Sequence, residues 1–424
     1  MEFRESGSSW REVRTIVYNR IKRKRLYAGD ILLTPLKRCL TTPELTFFGI
    51  SHMIGSGIFV LMGTLLKELA GPAGAVSFII GAISAAFAAL CYAELSGRLP
   101  KTGSCYNYTH FAMGELAAFI IGWMLISDFI IDMAAGSKAF SAVFDSLLDN
   151  KIRNSTIEIF GIWNFPGLDQ TPDFLALLLV LCAMLVNSFG AKFGLVFNMV
   201  CTVLQLIVLI VLIFFCFPYG NFANWSPSNG GFMPFGISGI LAGASACAFA
   251  YSGFDAVSNA AEEARNPGKS IPLAMFIGIG LVAILYILST VGISILVPRD
   301  QIDINAPFAY AFDTIGIKWI KYFAAIGTLI STAGTKLTGL YIIPRLIYAL
   351  ASDGLLFPIF ARVSSITDVP IISLLVGGFI AAILAFTFDL SILAELMSLG
   401  VLIASLTVGF CLIIIRDLNL KVSF

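Results

Sequence analysis

The sequence predicts an all-α polytopic membrane protein of about ten transmembrane helices, and three observations predict it. Apolar residues fill 58% of the 424 positions and charged residues only 12%. Mean hydropathy is +0.90. Apolar stretches of bilayer-spanning length also recur along the whole chain. Soluble domains carry roughly 25% charged residues to cover an exterior that faces water, so most of this exterior must face lipid. Within lipid every backbone N–H and C=O needs a partner inside the protein, which makes helices the spanning element for apolar runs of this length.

A helix crosses the hydrocarbon with about 20 apolar residues. Such runs fall at 44–63, 73–96, 108–143, 173–189, 195–217, 236–258, 271–297, 318–350, 370–388 and 392–415. The third and eighth exceed the span and are expected to tilt or to project beyond the lipid. This divides the chain into a basic tail at 1–43, a membrane domain at 44–416 and a short tail at 417–424.

Positive charge sets the orientation. Ten of the 27 Lys and Arg lie in residues 1–43, including the run Lys22-Arg23-Lys24-Arg25. With that end in the cytoplasm, the external stretches hold only Lys67, Lys151, Arg153, Arg299, Lys318 and Lys321. Beside a membrane domain a basic run reads as a tail facing the lipid headgroups. A net charge of +1 offers no global field for nucleic acid, and no nucleic-acid partner is expected. The same orientation puts Asn154-Ser155-Thr156 in the longest external loop, which makes Asn154 the glycosylation candidate. Multi-pass insertion fits the plasma membrane, with a lysosomal or other endomembrane as the alternative.

The eight cysteines (Cys39, Cys91, Cys105, Cys182, Cys201, Cys216, Cys247 and Cys411) show no zinc-like spacing and read as small packing residues. The two histidines, His52 and His110, are far apart, and no nucleophile–base pairing is evident. The sequence therefore points to no enzyme, no cofactor and no metal site.

The ten runs split evenly into 44–217 and 236–415, and the first run of each half carries a small-residue interruption at mid-depth. In the first it is Ile54-Gly55-Ser56-Gly57; in the second it is Tyr251-Ser252-Gly253-Phe254-Asp255. Glycine lowers helix stability by roughly 1 kcal/mol relative to alanine, so these stretches fit either unwound helices or close small-residue packing. Their matching positions favour unwinding. Each break exposes one helix C-terminus and one N-terminus: free C=O groups suit an ammonium and free N–H groups a carboxylate. Two facing breaks complement both charges of an α-amino acid.

These same residues resemble the amino acid–polyamine–organocation superfamily, in particular its cationic amino acid transporter branch. The pieces that carry the resemblance are GISHMIGSGIFVLMG (49–63), LCYAELSGRLPKTGSCYNY (90–108), GELAAFIIGW (114–123), GGFMPFGISGILAG (230–243), FAYSGFDAVSNAAEEARNPGKSIP (249–272), PRLIYALASDGLLF (344–357) and LAELMSLG (393–400). The resemblance implies a five-plus-five inverted-repeat (LeuT-like) fold with helices 1 and 6 broken. It also implies secondary transport of amino acids by alternating access, cationic by likeness, with neutral or acidic substrates or a non-transporting sensor as alternatives. Branch members continue for two to four more helices after LAELMSLG, whereas this sequence ends at Phe424.

By the same likeness the substrate carboxylate meets N–H groups around Ser56 and Gly57. Its amino group meets carbonyls near Met53 and Ala250, and Phe254 gates the ligand. Glu115 matches a family carboxylate near the pathway. Gln205 stands where proton-coupled relatives carry a lysine, which favours facilitated diffusion or exchange. Related light chains join a heavy chain through a cysteine after helix 3; residues 144–172 contain none, so no disulfide-linked partner is expected.

Charges at bilayer depth cost about 2.5–3.5 kcal/mol on insertion scales, so each needs a partner or a watery path. Asp128 and Asp132, four residues apart, share one helix face. Lys336 is expected to pair with one of them, either as a structural bridge or as a determinant of substrate choice. His52, beside the first break, fits a packing residue or a pH-sensitive one. Asp255 is expected to cap the inner half of helix 6, and Glu262-Glu263 to lie in a solvated loop.

Overall fold

The computed structural model describes residues 36, 38–55, 58, 61–148, 150–163, 168–227, 230–304 and 306–417. Helices account for the architecture, and no strand occurs among the described residues beyond isolated bridges. The first half comprises α1 (Thr42–Met53), α2 (Met62–Thr64, continued by a π-helical turn at Leu65–Leu69), α3 (Gly74–Arg98), α4 (Cys105–Ala112), α5 (Glu115–Leu147), α6 (Lys151–Phe160), α7 (Phe174–Ser188) and α8 (Ala191–Tyr219). The second comprises α9 (Gly236–Ala250), α10 (Phe254–Asn259), α11 (Pro267–Leu296), α12 (Pro307–Thr314), α13 (Lys318–Ser352), α14 (Ile371–Thr387) and α15 (Leu390–Asp417).

By length and composition, four stretches among the described residues can cross a membrane unaided: Gly71–Arg98, Glu115–Asp145, Lys192–Tyr219 and Pro267–Leu296. Their outer faces carry large apolar side chains in the open. Phe87 is 67% exposed, Phe214 67% and Ile284 57%. A soluble protein could not sustain such a surface, whereas lipid covers it without cost. Packing between helices uses small residues in place of interlocking large ones. A Cβ at Gly81 of α3 would stand 3.0 Å from Cys247 Cβ of α9, and one at Gly243 would press on Ser77. Such close backbone approach is the usual device where lipid removes the hydrophobic drive between helices.

Two expectations need correction. The third run is not one helix over 108–143: α4 stops at Ala112, and α5 begins at Glu115. The intervening Gly114 holds φ +104, a left-handed conformation that ends an α-helix. The Glu262-Glu263 stretch is not solvated, because both side chains are buried, 4% and 1% exposed. The end of the N-terminal stretch is tied to the segment after α10. Cys39 and Leu40 donate backbone N–H bonds to Glu263 O at 3.0 and 2.9 Å, and Arg265 N–H returns one to Leu40 O. The rest of that tail lies largely outside the described residues, as does the tail at 418–424.

The eighth run is one helix of 35 residues. At 1.5 Å per residue it is about 52 Å long, well beyond the ~30 Å of hydrocarbon, so it projects or tilts as its length requires. It packs against α5, α8 and α14 and forms the wall facing the breaks.

Candidate functional site

Both interruptions are real breaks. α1 opens on a capping arrangement in which the Thr41 backbone N–H and hydroxyl both donate to Glu44 Oε2, at 2.7 and 2.8 Å. It ends at Met53, where Ile54 leaves helical geometry at φ −81 and ψ 64; Ile58 is already π-helical, and α2 follows from Met62. Ser56 and Gly57, expected to receive the carboxylate, lie outside the described residues. In the second half α9 ends at Ala250 and α10 starts at Phe254.

The two breaks touch. A Cβ on Gly253 would stand 2.7 Å from Met53 Cγ, 3.0 Å from Met53 N and 3.1 Å from Gly49 O. Only glycine lets the α9–α10 link lie against the end of α1. The helices continue this contact, since a Cβ on Gly49 would meet Val257 Cγ2 of α10 at 2.7 Å.

Breaking a helix frees carbonyls that must find donors in a buried setting, and side chains from three other helices supply them. Thr335 Oγ1 donates to Ser51 O at 2.9 Å, and Ser331 Oγ to Ile54 O at 2.6 Å. The Gln205 amide also donates to Ile54 O. Tyr286 Oη of α11 donates to Met53 O at 2.6 Å and to Ala250 O at 3.1 Å, so one hydroxyl spans both breaks. Asn198 Oδ1 accepts from Ser51 Oγ at 2.8 Å and from Thr338 Oγ1 at 3.2 Å. Gln205 thus contacts the break through a neutral amide.

Tyr286, Asn198, Ser331 and Thr335 were not singled out from sequence. Asn198, Thr202 and Gln205 recur at helical spacing within an apolar run, as do Ser331, Thr335 and Thr338. Those polar stripes were a readable signal. Tyr286 shares such a stripe with Ser289, Thr290 and Ser294 of α11.

The ionisable residues around the breaks form one cluster from four helices. Lys336 Nζ of α13 donates to Asp132 Oδ2 of α5 at 2.8 Å and to Asp132 O at 2.8 Å. Lys336 is only 1% exposed, and its stem runs over Gly136, where a Cβ would overlap Lys336 Cε. Of the two aspartates open to this pairing, the structure selects Asp132. Asp128, one helical turn earlier, has no ion-pair partner among the described residues. It packs on Gly400 of α15, where a Cβ would press on its carboxylate.

Asp255 stands in the first turn of α10, where a carboxylate suits a helix N-terminus, and its Oδ1 is buried without a hydrogen-bond partner. His52 lies in the last turn of α1, its Nδ1 likewise buried and unpartnered and its ring 5.9 Å from that of Phe129. Asp132, Asp255 and Lys336 all act electrostatically on His52, and Asp132 and Asp255 on Asp128.

The remaining candidates fall as follows. Phe254 is buried edge-on against Tyr92, with centroids 5.3 Å apart. Tyr251 donates its hydroxyl to Phe78 O at 3.1 Å. Ser252 is half-buried between them. Glu115 is not part of the cluster: it is the first residue of α5, and 13 residues at 1.5 Å place it about 20 Å along the axis from Asp128. Asn154 is exposed on α6, away from the breaks.

Beyond α10, two buried carboxylates are paired. Glu263 Oε1 accepts from Arg345 Nε at 3.0 Å, and the guanidinium lies 3.6 Å over the Tyr341 ring. Glu262 takes Thr102 Oγ1 at 2.7 Å and Lys101 at 3.3 Å. Carboxylates are tolerated at this burial only when paired in this way.

The family model described as amino acid permease matches residues 40–419. The chain is 40% identical over 383 residues to cationic amino acid transporter 4 of Mus musculus, covering 90% of this chain and 60% of that protein. It is 39% identical over 397 residues to the Homo sapiens protein of the same name, covering 94% and 62%. It is 34% identical over 414 residues to the vacuolar cationic amino acid transporter 2 of Arabidopsis thaliana, covering 97% and 64%. The chain thus spans a little over three fifths of the length of the curated relatives it matches. A match over nearly all of the described residues, on a helical frame whose two halves each open with a broken helix, has one reading: this chain belongs to the amino acid permease family of the amino acid–polyamine–organocation superfamily.

Proposed function

We propose that the chain forms the core of a secondary carrier of amino acids, working by alternating access and selecting cationic side chains. The Lys336–Asp132 ion pair carries the reading. It neutralises Lys336 and leaves Asp128 and Asp255, both in the cluster beside the breaks, without an ion-pair partner among the described residues. An arginine or lysine side chain supplies that missing charge, whereas a leucine side chain would leave both carboxylates uncompensated. The family's relatives named above are cationic amino acid transporters by name, which points the same way.

The main chain of the substrate engages the breaks, with its carboxylate toward the 55–58 segment and its ammonium toward carbonyls of both helix ends. Gln205 holds Ile54 O with a neutral amide, and a group that does not titrate fits facilitated diffusion or exchange rather than proton symport. Release on the tail side requires the Arg345–Glu263 and Lys101–Glu262 pairs to separate. Uptake into cells lacking endogenous carriers, with arginine, leucine and glutamate as competitors, tests this. Unlabelled arginine is expected to compete and to stimulate efflux of preloaded arginine from the opposite side. Competition by leucine alone would move the assignment to neutral substrates, and binding without flux would make the protein a sensor.

The orientation proposed with this carrier has the N-terminus in the cytoplasm and α6 outside the cell, with the plasma membrane as the site of action. The exposed Asn154 side chain then meets the glycosylation machinery during synthesis. Asn154→Gln is expected to remove one glycan-sized mass on a denaturing gel, equal to the loss produced by enzymatic deglycosylation. An unchanged mass, in a protein that otherwise shifts on deglycosylation, would reverse that loop's placement.

A further inference from the structure

One residue outside every motif occupies the centre of the proposed site. Tyr286 of α11 is fully buried, held between the rings of Phe78 and Tyr251 at centroid distances of 4.8 and 5.3 Å. Its hydroxyl reaches Met53 O and Ala250 O, the terminal carbonyls of the two interrupted helices. These are the groups that the carrier reading gives to the substrate ammonium. A phenol has one proton to share between two acceptors; an ammonium has three and gives each carbonyl its own. The charged donor also bonds about twice as strongly as the neutral one.

We propose that the Tyr286 hydroxyl is a resident placeholder for the substrate's α-ammonium. It satisfies the two carbonyls while the site is empty and withdraws when an amino acid binds. The arrangement answers a physical requirement. Carbonyls left bare in a dry site are costly, and a carrier must cross the membrane empty during part of any uniport cycle. One shared proton is enough to keep the empty site closed and weak enough to yield to a cation. The inference rests on the carrier reading and deepens it, by naming the group that the ammonium displaces.

Tyr286→Phe keeps the ring and its packing and removes only the donor. The empty state then loses the donor that Ala250 O and Met53 O share, with Met53 O keeping only the Gly55 N–H at 2.9 Å, while the occupied state does not, so binding tightens. The half-saturation concentration for arginine in the full chain, reconstituted in liposomes, is expected to fall at least threefold. The inhibition constant of 5-guanidinopentanoate, which lacks the α-amino group, is expected to stay the same. An arginine half-saturation that is unchanged or higher overturns the placeholder. A fall of equal size for both compounds also overturns it, because it would reflect general loosening. A second measurement does not depend on the variant folding. With 3-fluorotyrosine at position 286, arginine is expected to shift the fluorine resonance and 5-guanidinopentanoate to leave it in place; no shift with saturating arginine overturns the proposal. If the unmodified chain neither takes up nor binds any amino acid, the carrier reading itself fails and the placeholder falls with it. Normal arginine uptake with an unmoved Tyr286 removes the placeholder alone.

Discussion

Gly253→Val is expected to lower arginine uptake per surface copy at least tenfold, measured as flux normalised to biotinylated protein at the cell surface. The reason is what a side chain there would strike. Its Cβ would lie 3.0 Å from Met53 N and 3.1 Å from Gly49 O, and both are backbone atoms of α1 that cannot rotate away. The two breaks must then separate. The Tyr286 hydroxyl that joins Met53 O to Ala250 O would lose at least one acceptor. Overpacking of a tight contact typically costs about 1–3 kcal/mol, and here that cost falls on the relative position of the two helix ends. Gly49→Ala provides the contrast. Its new Cβ meets Val257 Cγ2 at 2.7 Å, a side-chain methyl that can turn, so most uptake should survive. Equal flux through the Gly253→Val variant and the parent would show that the breaks need not touch for transport.

Asp128→Asn is expected to reduce arginine uptake about tenfold or more at low concentration and to leave leucine competition nearly unchanged. A charge-assisted hydrogen bond contributes about 1.5–3 kcal/mol, and every 1.4 kcal/mol is a factor of ten in affinity. The substitution preserves shape, and no ion pair among the described residues depends on Asp128, so the fold should tolerate it. The same change at Asp132 differs in kind. It strands the Lys336 ammonium, 1% exposed and bonded to Asp132 at 2.8 Å, and unpairing a buried charge destabilises by about 3–5 kcal/mol. Loss of expression for Asp132→Asn beside a selective loss of arginine uptake for Asp128→Asn would separate the structural acid from the substrate acid. An Asp128→Asn carrier with the parent's arginine half-saturation would exclude Asp128 from the site.

Much of the site was legible because its signal is local. Ile54-Gly55-Ser56-Gly57 and Tyr251-Ser252-Gly253 are runs that hold a helix poorly wherever they occur, and α1 and α9 do end at Met53 and Ala250. The i, i+4 spacing of Asp128 and Asp132 puts both on one face. The polar stripes of α8 and α13 are equally local. Other features could not be read locally. Glu263 looked like a loop residue because its partner Arg345 is 82 positions away. The depth of Glu115, the first residue of α5, is likewise not carried by a motif. The division of 108–143 into α4 and α5 turned on Gly114 at φ +104, and glycine is equally common inside membrane helices.

The sequence alone determined the membrane class, the helical content and the places where two helices must break, because apolar length and local helix propensity act over a few neighbouring residues. Tertiary structure alone decided which aspartate Lys336 neutralises, that Glu262 and Glu263 are buried, and that a single tyrosine hydroxyl joins the two breaks. Those outcomes depend on distances between helices far apart in the chain. At bilayer depth a polar group takes whichever partner the packing brings within about 3 Å, and no local pattern specifies that partner.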